Sequence, residues 1–337
     1  MGSQWPGMGA DLMKFPVFAE AIKKCDAILR PRGVDIINIL TNKDKTIFDN
    51  ILHSFVGIAA VQIGLVDLIT SIGIVPDNII GHSVGELGCA YADGCFTAEQ
   101  MILSAYSRGL ASIETKVIYG SMAAVGLGYD DVKDMCPSDI EVACHNSADS
   151  STISGPADSM KEFVAELQAK QIFAKEVPCS NIPYHSRYIA PAGPKLLAYL
   201  NEVIPEPKPR SRKWVSTSVP RNKWSTASAK LSSAEYHTNN LLSPVLFEET
   251  ARMIPKDAVT IEIAPHGLLQ AILRRSLGSG VTNIALTQRG HKDNVEVLLQ
   301  AIGKLYNAGL QPNIARLYPP VEYPVSRGTP MISPSVR

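Results

Sequence analysis

The stretch that most constrains this chain is IIGHSVGELGCAYADG, residues 79–94. Within it, Gly81-His82-Ser83-Val84-Gly85 reads G-x-S-x-G, with an apolar strand before the serine and a helical pattern after it. The two glycines leave room for a tight turn, and the following helix aims backbone N–H groups back at the hydroxyl. Strand, nucleophile turn and helix in that order imply an α/β architecture with parallel strands. The plainer reading is a glycine-flanked serine in an ordinary strand-to-helix loop. The strand–turn–helix context favours the nucleophile.

The surrounding patterns agree. Helical periodicity covers 15–29 and 46–72, and the helix after Ser83 stops at Asp93-Gly94. Thr97 and Gln100 form a capping box for AEQMILSAYSRGLASI. Residues 118–186 change rhythm: strand YGSMAAVGL, helix YDDVKDMC, strands IEVACHNS and STISGP, helix ADSMKEFVAELQAKQ, strand IFAKEVP. That β-α-β-β-α-β order is ferredoxin-like. The reading is an α/β core over 1–117 and 187–317, interrupted by a small subdomain at 118–186. DAVTIEIAP and VTNIALT supply core strands, and IPEPKPRSRKW an extended surface connector. Residues 318–337 hold five prolines and read as an extended C-terminal linker.

Composition narrows the function. The chain has 337 residues, 45% hydrophobic, with 32 basic and 32 acidic side chains, so no global field draws it to nucleic acid or an anionic membrane. The apolar run VGIAAVQIGLVDLI is broken by Gln62 and Asp67 and is short for a bilayer, so it reads as a buried helix. No signal peptide opens the chain, and the six cysteines show neither a C-x-x-C pair nor zinc spacing. The expectation is a reduced, cytoplasmic protein without a structural metal.

A serine nucleophile needs a base, usually histidine. His82 sits on the turn itself and would point away, while His53, His145 and His237 lack flanking chemistry. His185, in NIPYHSRY, and His266, in IEIAPHGLL, remain rivals on pattern alone. Arg108 stands in a mostly apolar helix, LSAYSRGLAS. Its default reading is a surface arginine, but an arginine among apolar neighbours usually pairs, because an unpaired buried guanidinium is costly. Its planar fork fits a carboxylate.

GHSVGELGCAYADG, SAYSRG, ACHNSADSSTISGP, FAKEVP, YHS, SSAEYHTNNLLSPVLF, EIAPHGLLQAIL and YPPVEYPVSRGTPMISP, in that order, resemble the malonyl/acetyltransferase domain of animal fatty acid synthase. The resemblance implies an α/β-hydrolase-like larger part with the ferredoxin-like insertion. It implies Ser83 as the acylated nucleophile and His185 as its base, with Asn240 supplying the backbone carbonyl that orients the histidine. Arg108 would hold the malonyl carboxylate, and the N–H groups of Val84 and Met1 would form the oxyanion hole. Phe55 and Tyr184 would line the acyl pocket; animal members usually carry phenylalanine where Tyr184 stands.

The implied reaction moves malonyl and acetyl groups from CoA to the phosphopantetheine thiol of an acyl carrier protein, in fatty acid biosynthesis. It needs no metal or other cofactor in this domain. The implied partners are the carrier protein and a neighbouring ketosynthase within a multidomain synthase, so the chain reads as a piece of a longer polypeptide. Arg274, Arg275 and the basic stretch at 208–213 are weaker candidates for CoA phosphates or the carrier surface.

Two other readings compete. A hydrolase would use Ser83, an acid such as Glu262 or Asp257, and His266 or His291. A non-catalytic docking module would need none of them.

Overall fold

The helix Ile51–Ser71 forms the axis of the larger part of the molecule. In the computed structural model, which describes residues 2–318 with Tyr323, Pro324 and Gly328, the helices Pro16–Leu29 and Ala98–Glu114 pack along it. At 21 residues it exceeds the apolar run read from sequence and is long and apolar enough to cross a bilayer. Burial decides its role: 83% of its most apolar window lies inside the protein, so it is a core helix. It approaches Ala98–Glu114 so closely that a Cβ on Gly109 would lie 2.9 Å from Leu52 Cα. Only glycine permits that contact, and it seats the helix turn that carries Arg108. The Thr97–Gln100 capping box is formed in full.

The smaller part is the expected βαββαβ unit. Its strands are β1 (Gly120–Val125), β2 (Glu141–Ser147), β3 (Ser150–Pro156) and β4 (Ala174–Val177), with helices Tyr129–Val132 and Ala157–Ala169 between them. β1 pairs antiparallel with β3 and β4, and β2 antiparallel with β3. Val125, Ile153, Phe163 and Leu167 belong to an apolar core of its own. The sheet gains a fifth strand that sequence reasoning did not anticipate: β5 (Val245–Leu246) lies parallel to β2, giving the order β4-β1-β3-β2-β5. Covering the β2 edge in this way ties the small sheet to the larger part.

In the larger part, β6 (Val259–Glu262) and β7 (Thr282–Ala285) pair in parallel. Ile79 makes a separate parallel bridge to Trp214 just before the Ser83 turn. The 204–214 connector forms no helix or strand, but it is not wholly on the surface. Trp214 is buried, and Arg210 lies over the rings of Trp214 and Tyr236 while donating to the carbonyls of Ala229 and Trp214. That use removes Arg210 from the phosphate candidates. Arg275 faces Asp149 across the two parts at 3.7 Å. The linker expected at 318–337 falls, apart from Tyr318, Tyr323, Pro324 and Gly328, outside the described residues, as does Met1.

Candidate active site

The chain enters the turn from Ile79, whose N–H and carbonyl bond to Lys213 O and Val215 N. It then reverses into the helix Gly85–Ala92. A Cβ on Gly81 would meet the backbone of Gly85 and Glu86 at 2.6 Å, so the turn closes only with glycine there. Ser83 takes φ 56, a left-handed conformation uncommon for a residue with a side chain. Strain of this kind persists where the surroundings enforce it, and it is concentrated at functional sites. The bonds of the turn run from Gly85 N to His82 O, Glu86 N to Ser83 O and Leu87 N to Val84 O. The Val84 N–H lies outside them, as an oxyanion donor must.

Ser83 Oγ lies 2.7 Å from His185 Nε2. The segment carrying the histidine is held by Gly120 N to Asn181 O, Ile182 N to Cys179 O and Ser186 Oγ to Pro183 O. His185 itself is left-handed, φ 58. Its Nδ1 donates to the Ser243 carbonyl at 2.8 Å, which leaves the Nε2 lone pair facing the serine. This corrects the role expected of Asn240: the orienting carbonyl belongs to Ser243, just beyond the helix Ala234–Leu242 that holds Asn240. Burial, then the Arg108 charge, pushes His185 down to about 3, so the ring is neutral at physiological pH and its Nε2 lone pair is free for the serine proton.

Asn240 serves the arginine instead. Arg108 is 3% exposed. Its Nη1 donates to Asn240 Oδ1 at 2.6 Å and its Nη2 to Ser83 Oγ at 3.3 Å. Burial lowers its pKa to about 10, which still leaves it charged at neutral pH. The Phe55 ring stands 5.6 Å from its Cζ, and Tyr184 meets Phe55 edge-on at 6.0 Å. The fork of Arg108, Phe55 and Tyr184 therefore gather beside the serine.

Beneath them lies a carboxylate that sequence reasoning missed. Glu86, fully buried, accepts from Trp214 Nε1, Thr217 N, Ser218 Oγ, Tyr236 OH and Asn240 Nδ2. The signal was present: an acidic residue directly after the second motif glycine, in the first turn of an otherwise apolar helix.

The other histidines are engaged elsewhere. His82 Nε2 bonds to Asn146 Oδ1, His145 pairs with Glu249 and stacks on Tyr129, and His237 bonds to Ser232. His266 Nδ1 accepts from Arg289 N, and Glu262 accepts from Leu269 N and Gln270 Nε2. The hydrolase set is thus not assembled around Ser83. Of the two expected oxyanion donors, Met1 lies outside the described residues, and the neighbouring Gly2 N–H is bonded to Gln4 Oε1 at 2.7 Å.

Comparison with known proteins shows the family to which this fold belongs. Residues 1–312 match the acyl transferase domain family. The low-reducing polyketide synthase drtA of Aspergillus calidoustus is 31% identical over 362 aligned positions, covering 98% of this chain. Prosolanapyrone synthase of Alternaria solani is 34% identical over 332 positions, covering 91%. The chain spans only 15% and 12% of the lengths of those two relatives.

Among solved structures, the acyltransferase domain from the second module of the salinomycin polyketide synthase superposes with a TM-score of 0.82 at 22% identity, covering 95% of this chain and 75% of that one. The malonyl CoA-acyl carrier protein transacylase of Coxiella burnetii gives 0.76 at 21%, covering 90% and 95%. These likenesses establish a shared α/β fold. The first of these relatives is named as a polyketide synthase and neither as a fatty acid synthase, so the finer resemblance to animal fatty acid synthase is not carried by them. Over most of its length, this chain belongs to the acyl transferase domain family.

Proposed function

We propose that the domain moves malonyl and acetyl groups from CoA to a carrier protein's phosphopantetheine thiol through an acyl-serine. The observation that carries this reading is the juxtaposition at Ser83 Oγ of a neutral histidine at 2.7 Å and a buried guanidinium at 3.3 Å. A hydrolase needs the first of these but has no use for the second.

In the first step Ser83 Oγ attacks the thioester carbonyl as His185 Nε2 takes its proton. The resulting imidazolium keeps its Nδ1–H on Ser243 O. The Val84 N–H faces the developing oxyanion, a kind of contact that contributes about 3 kcal/mol to a transition state. Collapse expels the CoA thiolate, which takes the proton from His185, and leaves the acyl ester on Ser83. The incoming pantetheine thiol then runs the same sequence in reverse. Thioester is exchanged for thioester, so no energy-coupling cofactor is required. Arg108 selects the acyl group: its fork pairs with a malonyl carboxylate and gains nothing from acetyl.

The order of sequence motifs supports a fatty acid synthase as the setting, while the curated relatives support a polyketide synthase. Both would supply the carrier protein and a ketosynthase as partners, and the transfer chemistry is the same. The test is to incubate the protein with labelled malonyl-CoA and map the label by peptide mass. Label on Ser83 that passes to a pantetheine thiol is the expected result. Absence of label supports a docking module, and release to water alone supports a hydrolase.

A further inference from the structure

Two buried polar groups beside Ser83 have nothing to bind. Among the described residues, the Tyr184 hydroxyl and the Arg108 Nε–H are enclosed and make no hydrogen bond. Both residues are 3% exposed. They share one electrostatic neighbourhood, since Arg108 draws the tyrosine pKa downward and Tyr184 raises that of the arginine. Both also flank the Phe55 ring. Ser112 comes near the phenol without a well-directed bond to it, and its own hydroxyl already donates to Arg108 O at 2.8 Å.

Leaving a buried hydroxyl unpaired is destabilising, and phenylalanine would build the same wall without that cost. Burial also pushes the phenol up to about 12, so at neutral pH it is a proton donor. A guanidinium has donors only. The phenol has lone pairs of its own, but neither its proton nor the Nε–H finds an acceptor, and a group that brings lone pairs and no further protons would serve both. An ionised carboxylate does this, with about four acceptor positions on two oxygens. An acetyl methyl does not.

We propose that the Tyr184 hydroxyl is a specificity-determining group that donates a hydrogen bond to the free carboxylate held by Arg108. Selection of a dicarboxylic acyl group then rests on a neutral donor as well as a charge. The proposal rests on the malonyl-transfer reading above. It also explains why a tyrosine is tolerated in so dry a wall, because its hydroxyl is satisfied when the substrate is bound.

The experiment compares the full chain with Tyr184→Phe, measuring Ser83 acylation by intact mass across a range of malonyl-CoA and acetyl-CoA concentrations. The ratio of malonyl to acetyl kcat/KM should fall on the order of tenfold in the variant, mainly through the malonyl KM. The melting temperature should not drop, since the lost hydroxyl has no partner in the free protein. A ratio within twofold of wild type overturns the proposal and leaves Tyr184 as a wall. Malonyl and acetyl rates falling together also overturn it, in favour of a structural bond to Ser112. A malonyl preference that Arg108→Ala abolishes and Tyr184→Phe keeps would sink this proposal alone. A wild-type protein that never takes malonyl on Ser83 removes the underlying reading, and this one with it.

Discussion

Asn240 Oδ1 accepts a 2.6 Å hydrogen bond from Arg108 Nη1, and the other end of the same amide donates to Glu86 Oε2 at 3.3 Å. The carboxylate, already holding Trp214, Thr217, Ser218 and Tyr236, fixes which way the amide faces. Only that orientation offers an oxygen to the guanidinium. A buried cation is thereby aimed at Ser83 with its balancing anion one residue further away, leaving the rest of its fork for a ligand.

Truncating the arginine tests that arrangement. Arg108→Ala removes a charge-assisted contact to the malonyl carboxylate, and leaving one partner of such a pair unmatched costs about 2–5 kcal/mol. Malonyl acylation should drop by several tens of fold or more, whereas acetyl acylation should hold or rise. Arg108→Lys should restore only part of the malonyl rate, because a point charge cannot reproduce the fork. Equal losses for malonyl-CoA and acetyl-CoA would make Arg108 a structural residue.

The base can be assigned by a set of three variants. His185→Ala should lose Ser83 acylation by about 10²–10⁴-fold, the usual contribution of a general base. His266→Ala and His291→Ala should retain most of it, because their Nδ1 atoms are bonded to the backbone of Arg289 and Asp293. Burst labelling with malonyl-CoA reads all three. Normal labelling of the His185 variant would refute the serine–histidine mechanism.

What was legible in the sequence was whatever local patterning controls. The turn at Ser83, the capping box and the βαββαβ order each depend on neighbours within a few residues, and each is in the structure. The choice between His185 and His266 depends on two segments 102 residues apart, so spacing alone leaves it open and only the family resemblance points to His185. Ser243 was missed because its contribution is a carbonyl, which no side chain announces. Glu86 was missed because its five partners are spread from 214 to 240, on segments brought together only by folding. β5 is two residues long and takes its strand character entirely from pairing with β2.

The two motif glycines are not equivalent. A Cβ at Gly81 would lie 2.6 Å from backbone atoms of Gly85 and Glu86, whereas one at Gly85 would meet nothing within 4 Å. Gly81→Ala must therefore open the turn and should abolish acylation. Gly85→Ala should keep acylation within a fewfold and stabilise the helix Gly85–Ala92 by about 0.5–1 kcal/mol. Malonyl labelling and urea unfolding of both variants check this. Equal loss of labelling in the two would mean that the second glycine is needed for substrate approach.

As pH falls, the acylation rate and the stability of the fold should part. Burial pushes His82 down to about 4 and His185 and His237 to about 3, against an ordinary value of 6.5. The rate depends on free His185, whose Nε2 stays unprotonated far below neutrality. Acylation at pH 5.5 should therefore remain within about twofold of that at pH 7.5, where a solvated histidine base would lose about tenfold. For stability the sign runs the other way. Between 6.5 and the folded values, the unfolded chain binds protons that the native protein refuses, so acid favours unfolding. Each histidine adds its full contribution above pH 6.5 and loses up to about 1.4 kcal/mol per pH unit below it. Three together lose about 4 kcal/mol per unit at most. Urea midpoints at pH 7.5, 6 and 5 should decline steadily, and labelling at denaturant-free pH 5.5 should not. An acylation rate that instead falls with a midpoint near 6.5 would show His185 to be open to water, and the dry serine–histidine pair would have to be abandoned.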